Sequence, residues 1–478
     1  MKSYRGIEDL EAWDARIFEK AEAFGLDCYP QQFEICDNNQ MLSAMAYSGV
    51  PSHYPHWSYG KAYEKQKTLY DHGVTGLPYE MVINSNPCLS YLMRDNSLLL
   101  QILTIAHVYG HNDFFKNNFT FRTTRSDYTI DRFKIHGERI RSYIEDPSIT
   151  AEAVEKILDA AHALSLQCRR NLAIRKHTSE EARDILQESS QPQTDPFQSI
   201  HRRNKPPSIN LHKVPLIPDE DLLLFIRDHN PRLSAWEKDV LTIVHDETQY
   251  FIPQIETKIM NEGWATFWHK QILEALDLPQ DLHLEFIVRH NQVVRPFEYG
   301  LNPYHIGLVV WQDIYDRSAA GASGDEAGDR TSNGRMENED SLFEVRETDR
   351  DSSFLRRHLS EELVRKLNLF ELEDNDDQKV VRNIADKEGW RSVRDALVKS
   401  VGMNSVPVIK VEDADFGKGR CLYLVHYHDG RDLQLEYAEK ALSYLSRLWH
   451  GEVVLETTLS AKKQLLVYGE EGFAMKAL

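Results

Sequence analysis

The run Leu98-Leu-Leu-Gln-Ile-Leu-Thr-Ile-Ala-His-Val-Tyr-Gly-His-Asn-Asp-Phe-Phe-Lys-Asn-Asn118 decides how the rest of the chain is read. Its first half is apolar on nearly every face, so it predicts a buried helix. On that helix His107 and His111 stand one turn apart and point the same way. Two imidazoles at that spacing can chelate one metal ion. The spacing alone carries little, because 20 histidines in 478 residues supply about one such pair by chance. Burial carries more. Two uncharged imidazoles without partners inside an apolar helix would be costly, so they call for a shared ion or for hydrogen bonds.

Just upstream, Tyr79-Glu-Met-Val-Ile-Asn84 alternates like a strand and ends at Asn86-Pro87. Glu80 and Asn84 fall on one face of it. Downstream, Thr257-Lys-Ile-Met-Asn-Glu-Gly-Trp-Ala-Thr-Phe-Trp-His269 predicts another helix. His269 is seven residues after Glu262 and shares its face. It is a candidate fourth ligand, or a residue that holds a ligand in place. Packing is an equally good account of it. Ser52-His-Tyr-Pro-His-Trp-Ser58 offers His53 and His56, for which aromatic packing around a proline-broken loop is the better account.

A zinc site with one open position takes three protein ligands. Asn261-Glu-Gly-Trp-Ala265 resembles the Asn-Glu-Gly-Phe-Ala stretch of the gluzincin zinc aminopeptidases, whose Glu is the third ligand. That resemblance implies a triad of His107, His111 and Glu262 and a zincin-like core. The alternative for Glu262 is a carboxylate near a helix N-terminus, stabilised by the dipole. Two departures stand out. Val108 occupies the place of the general-base Glu, and the separation from His111 to Glu262 is much longer. A peptidase mechanism would then need another base, Glu80 or Glu247. Glu80 also has a plain alternative, pairing with a basic residue such as Arg122. Tyr304 or His305 is a candidate for stabilising an oxyanion, and Asn84 and Asn86 for holding substrate.

The formal net charge of −19, from 75 acidic and 56 basic residues, argues against general binding to nucleic acid or anionic membrane. The cysteines Cys28, Cys36, Cys88, Cys168 and Cys421 are odd in number and show no C-x-x-C, which suits a reducing cytoplasm. No N-terminal apolar region and no span of 18 apolar residues is seen, so neither secretion nor a membrane span is expected.

The expected class is α+β, with a mostly helical metal-site domain over 1–316 and a small α+β domain over 342–478. Within the first, residues 7–26 predict a helix closed by Gly25, and 28–60 read as irregular. The proline-rich stretch 188–218 reads as a linker or long loop. Ser234 with Glu237 predicts a helix start, and Pro253 a kink or an end. Residues 317–341, small and polar, read as a disordered loop. After them a helical patch is expected near 359–369. Strands are expected near 406–411, 420–426, 452–457 and 464–468, with an amphipathic helix over 433–449.

Four stretches are together similar to the SpoVR family, stage V sporulation protein R and its relatives. They are Tyr79-Glu-Met-Val-Ile-Asn-Ser-Asn-Pro87, residues 106–118, Tyr250-Phe-Ile-Pro-Gln254 with residues 261–269, and Asn302-Pro-Tyr-His-Ile-Gly-Leu-Val-Val-Trp311. The resemblance extends over most of the chain. It implies a cytoplasmic bacterial protein linked to spore cortex formation, often encoded beside a PrkA-type serine protein kinase. Two functions follow. One is a zinc-dependent hydrolase acting on peptide or amide bonds. The other is a non-catalytic regulator or scaffold with a structural or vestigial metal site.

Overall fold

The computed structural model describes residues 7–72, 80–170, 175–190, 210–211, 213–297, 300–322, 337–375, 378–384, 386–387, 389–417 and 419–478. The chain forms two compact units. One joins 1–141 with 249–405, and the other joins 142–248 with 406–478.

The first unit is built on the helix Leu98–Asn117, buried along nearly its whole length. Ser97 caps it, accepting from Leu100 N at 3.2 Å. Its neighbours are the helices Lys258–Ala275 and Pro303–Ala322. Small residues let these three approach at the level of their backbones. A Cβ on Gly110 would stand 2.6 Å from Ala265 Cα, and one on Gly263 would stand 2.4 Å from the Gly307 backbone. No larger residue fits at either crossing. Around the crossings Ile102, Ile105, Ala106, Trp264, Phe267 and Trp311 form one apolar core.

Beside the histidine helix lies a three-stranded sheet. Cys88–Met93 is central, parallel to Gln31–Cys36 on one side and antiparallel to Glu80–Ile83 on the other. Residues 28–60, expected to be irregular, thus contain a strand and also the helix Asn38–Ala46. The strand finds its partner only far along the chain, which no local pattern announces. The helix does carry a local signature: Asp37 Oδ1 accepts from Gln40 N at 2.9 Å, while Gln40 Oε1 accepts from Asp37 N at 2.8 Å. The expected helix start at Ser234 is present in Ala235–Glu256, with Ser234 N donating to Glu237 Oε2 at 2.7 Å. That helix runs through Pro253, and Thr257 Oγ1 donates to Pro253 O at 2.7 Å just beyond its end.

The expected boundary near residue 342 does not divide the compact units. Residues 342–405 belong with the histidine helix, because Leu342, Phe354, Leu355, Leu363 and Val398 enter the same core. Asp351 also accepts from Ile259 N and Met260 N, both at 2.9 Å, and so caps the helix that carries Glu262. The stretch expected as a disordered loop is helical at both ends, in Pro303–Ala322 and Glu337–Thr348. Its middle, 323–336, lies outside the described residues, as does most of 188–218.

The second unit is a five-stranded sheet ordered Gly472–Ala477, Lys462–Gly469, Val453–Leu459, Cys421–His426, Ile409–Phe416. Only Cys421–His426 and Val453–Leu459 run parallel, and the helix Leu435–Trp449 connects them and lies on the sheet. Asn230 ties that helix down, its Nδ2 donating to Leu448 O at 2.8 Å. The expected strands and helix are all present, and Gly472–Ala477 adds an edge. The class is α+β. Among the described residues no helix is long and apolar enough to cross a membrane.

Candidate metal centre

Three elements of the first unit converge on one point. The helix Leu98–Asn117 brings His107 and His111, the edge strand brings Glu80, and the helix Lys258–Ala275 brings Glu262. The Gly110 crossing makes this possible, since it sits between the two histidines and presses the Glu262 helix against them.

Glu80 Oε1 stands 3.2 Å from His107 Nε2 and 3.8 Å from His111 Nε2. Glu262 Oε2 stands 3.5 Å from His111 Nε2 and 3.8 Å from His107 Nε2. Donors about 2.0–2.2 Å from one ion in a tetrahedral array stand roughly 3.3–3.6 Å from each other. The four edges bracket that spacing. In one set, Glu80, His107 and His111, one possible ligand atom of each lies within 4.8 Å of the others. Glu80, considered from the sequence as a base or a surface pair, is therefore placed as closely as a ligand. It does not pair with Arg122, whose guanidinium goes to Glu347.

Residues 5–406 match the family described as SpoVR like protein, and residues 407–460 match the SpoVR-like C-terminal domain. The chain belongs to the SpoVR family. A curated relative, "Uncharacterized protein YcgB" of Escherichia coli (strain K12), is 32% identical over 467 residues, covering 94% of this chain and 91% of its own. No solved structure matches.

In this SpoVR chain the two histidines are held from behind. His111 Nδ1 lies 2.8 Å from Asn261 Oδ1. An amide oxygen only accepts, so Nδ1 carries a proton, and in the neutral ring Nε2 keeps its lone pair for the cluster. His107 Nδ1 lies 2.9 Å from His269 Nδ1. His269 thus backs His107, its own Nε2 standing 2.9 Å from His290 Nδ1.

The electrostatics are those of a site short of positive charge. Burial pushes Glu80 up to about 8 and His107 down to about 4. Burial also works against the charge on Glu262 and His111, but their mutual attraction wins. Glu262 is held below the ordinary carboxylate range by His107 and His111. His111 is raised, by Glu262 ahead of Glu80. Even so, Glu80 Oε2 and Glu262 Oε2 are buried without a hydrogen-bond donor. Such atoms are expensive unless something completes them.

The remaining candidates separate. Tyr304 stacks on His107, ring centroids 6.0 Å apart, and so borders the cluster. His305 does not: it interacts with the backbone of Val294 instead. Neighbours on a helix are about 100° apart, so only one of the two can face the histidines. Asn84 Nδ2 donates to Thr124 Oγ1 and Asn86 Nδ2 to Asp127 Oδ1, each at 2.8 Å, so both amide nitrogens are engaged within the protein. Glu247 is buried on the helix Ala235–Glu256, belongs to the second unit and is not a member of the cluster. His53 bonds Tyr59 Oη through Nε2 at 3.1 Å, and His56 caps the helix Trp57–Asp71. Asn261 and His290 were missed by sequence reasoning. Asn261 was legible as the residue beside Glu262, whereas nothing in its local sequence singles out His290.

Proposed function

We propose that this SpoVR protein is a metal-dependent hydrolase that holds a zinc-like divalent cation between His107, His111 and Glu262, with Glu80 beside it. The observation that carries the reading is the convergence of two Nε2 atoms and two carboxylates, with one oxygen of each carboxylate buried and lacking a donor. A cation bound there would supply Lewis acidity. The chain's own residues would do the rest. Glu80, beside His107 and His111, can accept a proton and return it. Tyr304, beside His107, can donate to a developing oxyanion. Glu262, whose side chain is 21% exposed against 9% for Glu80, marks the side from which substrate enters. A peptide or amide bond is the substrate class suggested by the gluzincin-like Asn261-Glu-Gly stretch and a zincin-like arrangement. The family name points to sporulation, and a cytoplasmic setting and a link to a PrkA-type serine protein kinase system belong to the same proposal.

One observation favours a second reading, a regulator or scaffold with a structural or vestigial metal site. Val108 offers no base, and if Glu80 is a fourth ligand the site is closed, as structural zinc sites are. Metal analysis of the purified chain, then a screen of peptide and amide substrates with and without chelator, tests both. Stoichiometric metal with chelator-sensitive turnover supports the hydrolase. Stoichiometric metal without turnover supports the structural site, and no metal under saturating zinc removes both. Glu80→Gln then separates its roles. A base loses about 10²-fold in activity with metal retained, and a ligand loses metal.

A further inference from the structure

Phe115 stacks on His111, ring centroids 6.0 Å apart, and also lines a hollow of about 550 Å³. None of Glu80, His107, His111 and Glu262 lines that hollow. Aromatic rings make much of its wall. Phe115 and Phe121 are buried, their centroids 5.0 Å apart. Tyr29 lies under Lys116, whose Nζ stands 5.7 Å from the ring centroid, and Tyr128 is 66% exposed. Lys116, Arg122 and Arg125 bring three cations to the same hollow. In a chain of net charge −19, residues 116–125 hold these three basic residues and no acidic one. Lys116 Nζ donates to Asp27 Oδ1 at 2.5 Å, and Arg122 pairs with Glu347. Among the described residues the Arg125 guanidinium has no such partner. Its backbone is left-handed, φ 54° and ψ 60°, between the short helices Phe119–Thr123 and Ser126–Tyr128. A residue with a Cβ adopts that conformation at a cost, so the fold alone would be served better by glycine.

We propose that this hollow binds a small ligand that joins an anionic group to a flat ring. Arg125 takes the anion, with Lys116 and Arg122 beside it, and the ring stacks on Tyr128 and its aromatic neighbours. A guanidinium fork matches a phosphate or a carboxylate through two parallel hydrogen bonds. Aromatic faces hold flat rings of many kinds, because every such ring has a π-face to stack. The volume is that of an ordinary small-molecule site. Asp127, the one acidic residue among those lining the hollow, accepts from Asn86 Nδ2 on Oδ1 and has Oδ2 left for a ligand N–H. A nucleoside monophosphate offers all three features: phosphate, flat base and N–H donors. An aromatic carboxylic acid offers the first two in its own form, anion and ring. The net charge of −19 disfavours a long polyanionic strand in either case. The proposal does not depend on the metal reading above.

The experiment is calorimetric titration of the full chain, kept metal-free by chelator, with adenosine monophosphate, guanosine monophosphate and 4-hydroxybenzoate. Adenosine and inorganic phosphate are titrated beside them. At least one of the three ring-bearing anions should bind with a Kd below about 1 mM. It should bind about 10-fold or more tighter than adenosine or phosphate. Tighter binding of a nucleotide assigns the anion as a phosphate, and tighter binding of 4-hydroxybenzoate assigns it as a carboxylate. Arg125→Gly should weaken the best ligand about 10-fold or more, because it removes a charged hydrogen-bond donor. Its melting temperature should not fall, since glycine suits the left-handed backbone. Tyr128→Ala should weaken binding about 5-fold or more through lost stacking. Arg365→Ala, which breaks a surface pair with Glu361 away from the hollow, should bind as the wild type does. Three results overturn the proposal. One is no binding of any ring-bearing anion at about 1 mM. Another is adenosine or phosphate binding as tightly as the best of them. The third is wild-type affinity in the Arg125→Gly chain.

Discussion

His111 and Asp113 sit two residues apart on one buried helix, in surroundings of opposite kind. Asp113 Oδ1 accepts from Arg346 Nη1 at 2.7 Å and from Asp27 N at 2.8 Å, and Oδ2 accepts from Trp264 Nε1 at 2.8 Å. Both of its oxygens have donors. Around His111 the count does not close, because Glu80 Oε2 and Glu262 Oε2 lack donors. A satisfied buried network braces a fold, whereas a half-satisfied one is worse than an apolar core. The Asp113 carboxylate is complete as it stands, although Arg346 Nε behind it has no acceptor. The histidine cluster leaves an oxygen on each of its carboxylates without a donor.

The largest effect should come from breaking the complete cluster. Arg346→Ala strands the Asp113 carboxylate in the core and should cost about 3–5 kcal/mol in urea unfolding. A loss below about 1 kcal/mol would show that Asp113 tolerates isolation, and the contrast would collapse.

Glu80 should respond the other way. Its folded value of about 8 lies above the 4.5 of an ordinary glutamate. Between those values the folded chain keeps a proton that the unfolded chain releases. Any stability linked to that proton is full below pH 4.5 and lost as pH rises through 8. The metal-free protein should thus lose stability over that window, and Glu80→Gln should flatten the slope and match or exceed the wild type at pH 8. Parallel curves for the two proteins would contradict the placement of Glu80.

Asn261→Leu sharpens the comparison further, since it touches only the support of His111. Zinc affinity should fall about 10–100-fold, measured by chelator competition, with the metal-free melting temperature little changed. Affinity equal to the wild type would mean that His111 needs no fixed tautomer.

The smallest effect serves as a control. Arg122 pairs with Glu347 at the surface, where both side chains are about half exposed. Arg122→Ala should change unfolding by less than about 1 kcal/mol. A loss comparable to that of Arg346→Ala would show that burial is not what separates these ion pairs.

Much of the candidate site is legible along the chain. The histidine helix announces itself by unbroken apolar character and the His107/His111 spacing, and Glu262 by the stretch it sits in. The small sheet of the second unit is legible for the same kind of reason, because its strands and amphipathic helix are short-range patterns. Less legible was anything resting on a distant partner. The strand Gln31–Cys36 exists because Cys88–Met93 lies beside it. Residues 342–405 join the first unit because their apolar side chains fill a core begun by the histidine helix.

Sequence alone determined the family, the α+β class, the buried helix with its histidine pair and the candidacy of Glu262, since each depends on residue type and near spacing. Tertiary structure decided that Glu80 stands as close as a ligand and that Tyr304 rather than His305 faces His107. It also decided that Asn261 and His290 complete the support. These depend on how closely helices pack, and here glycine–alanine and glycine–glycine crossings bring backbones together. A glycine permits that approach but does not name its partner. Only the folded core, by selecting which surfaces meet, turns scattered carboxylates and imidazoles into one site.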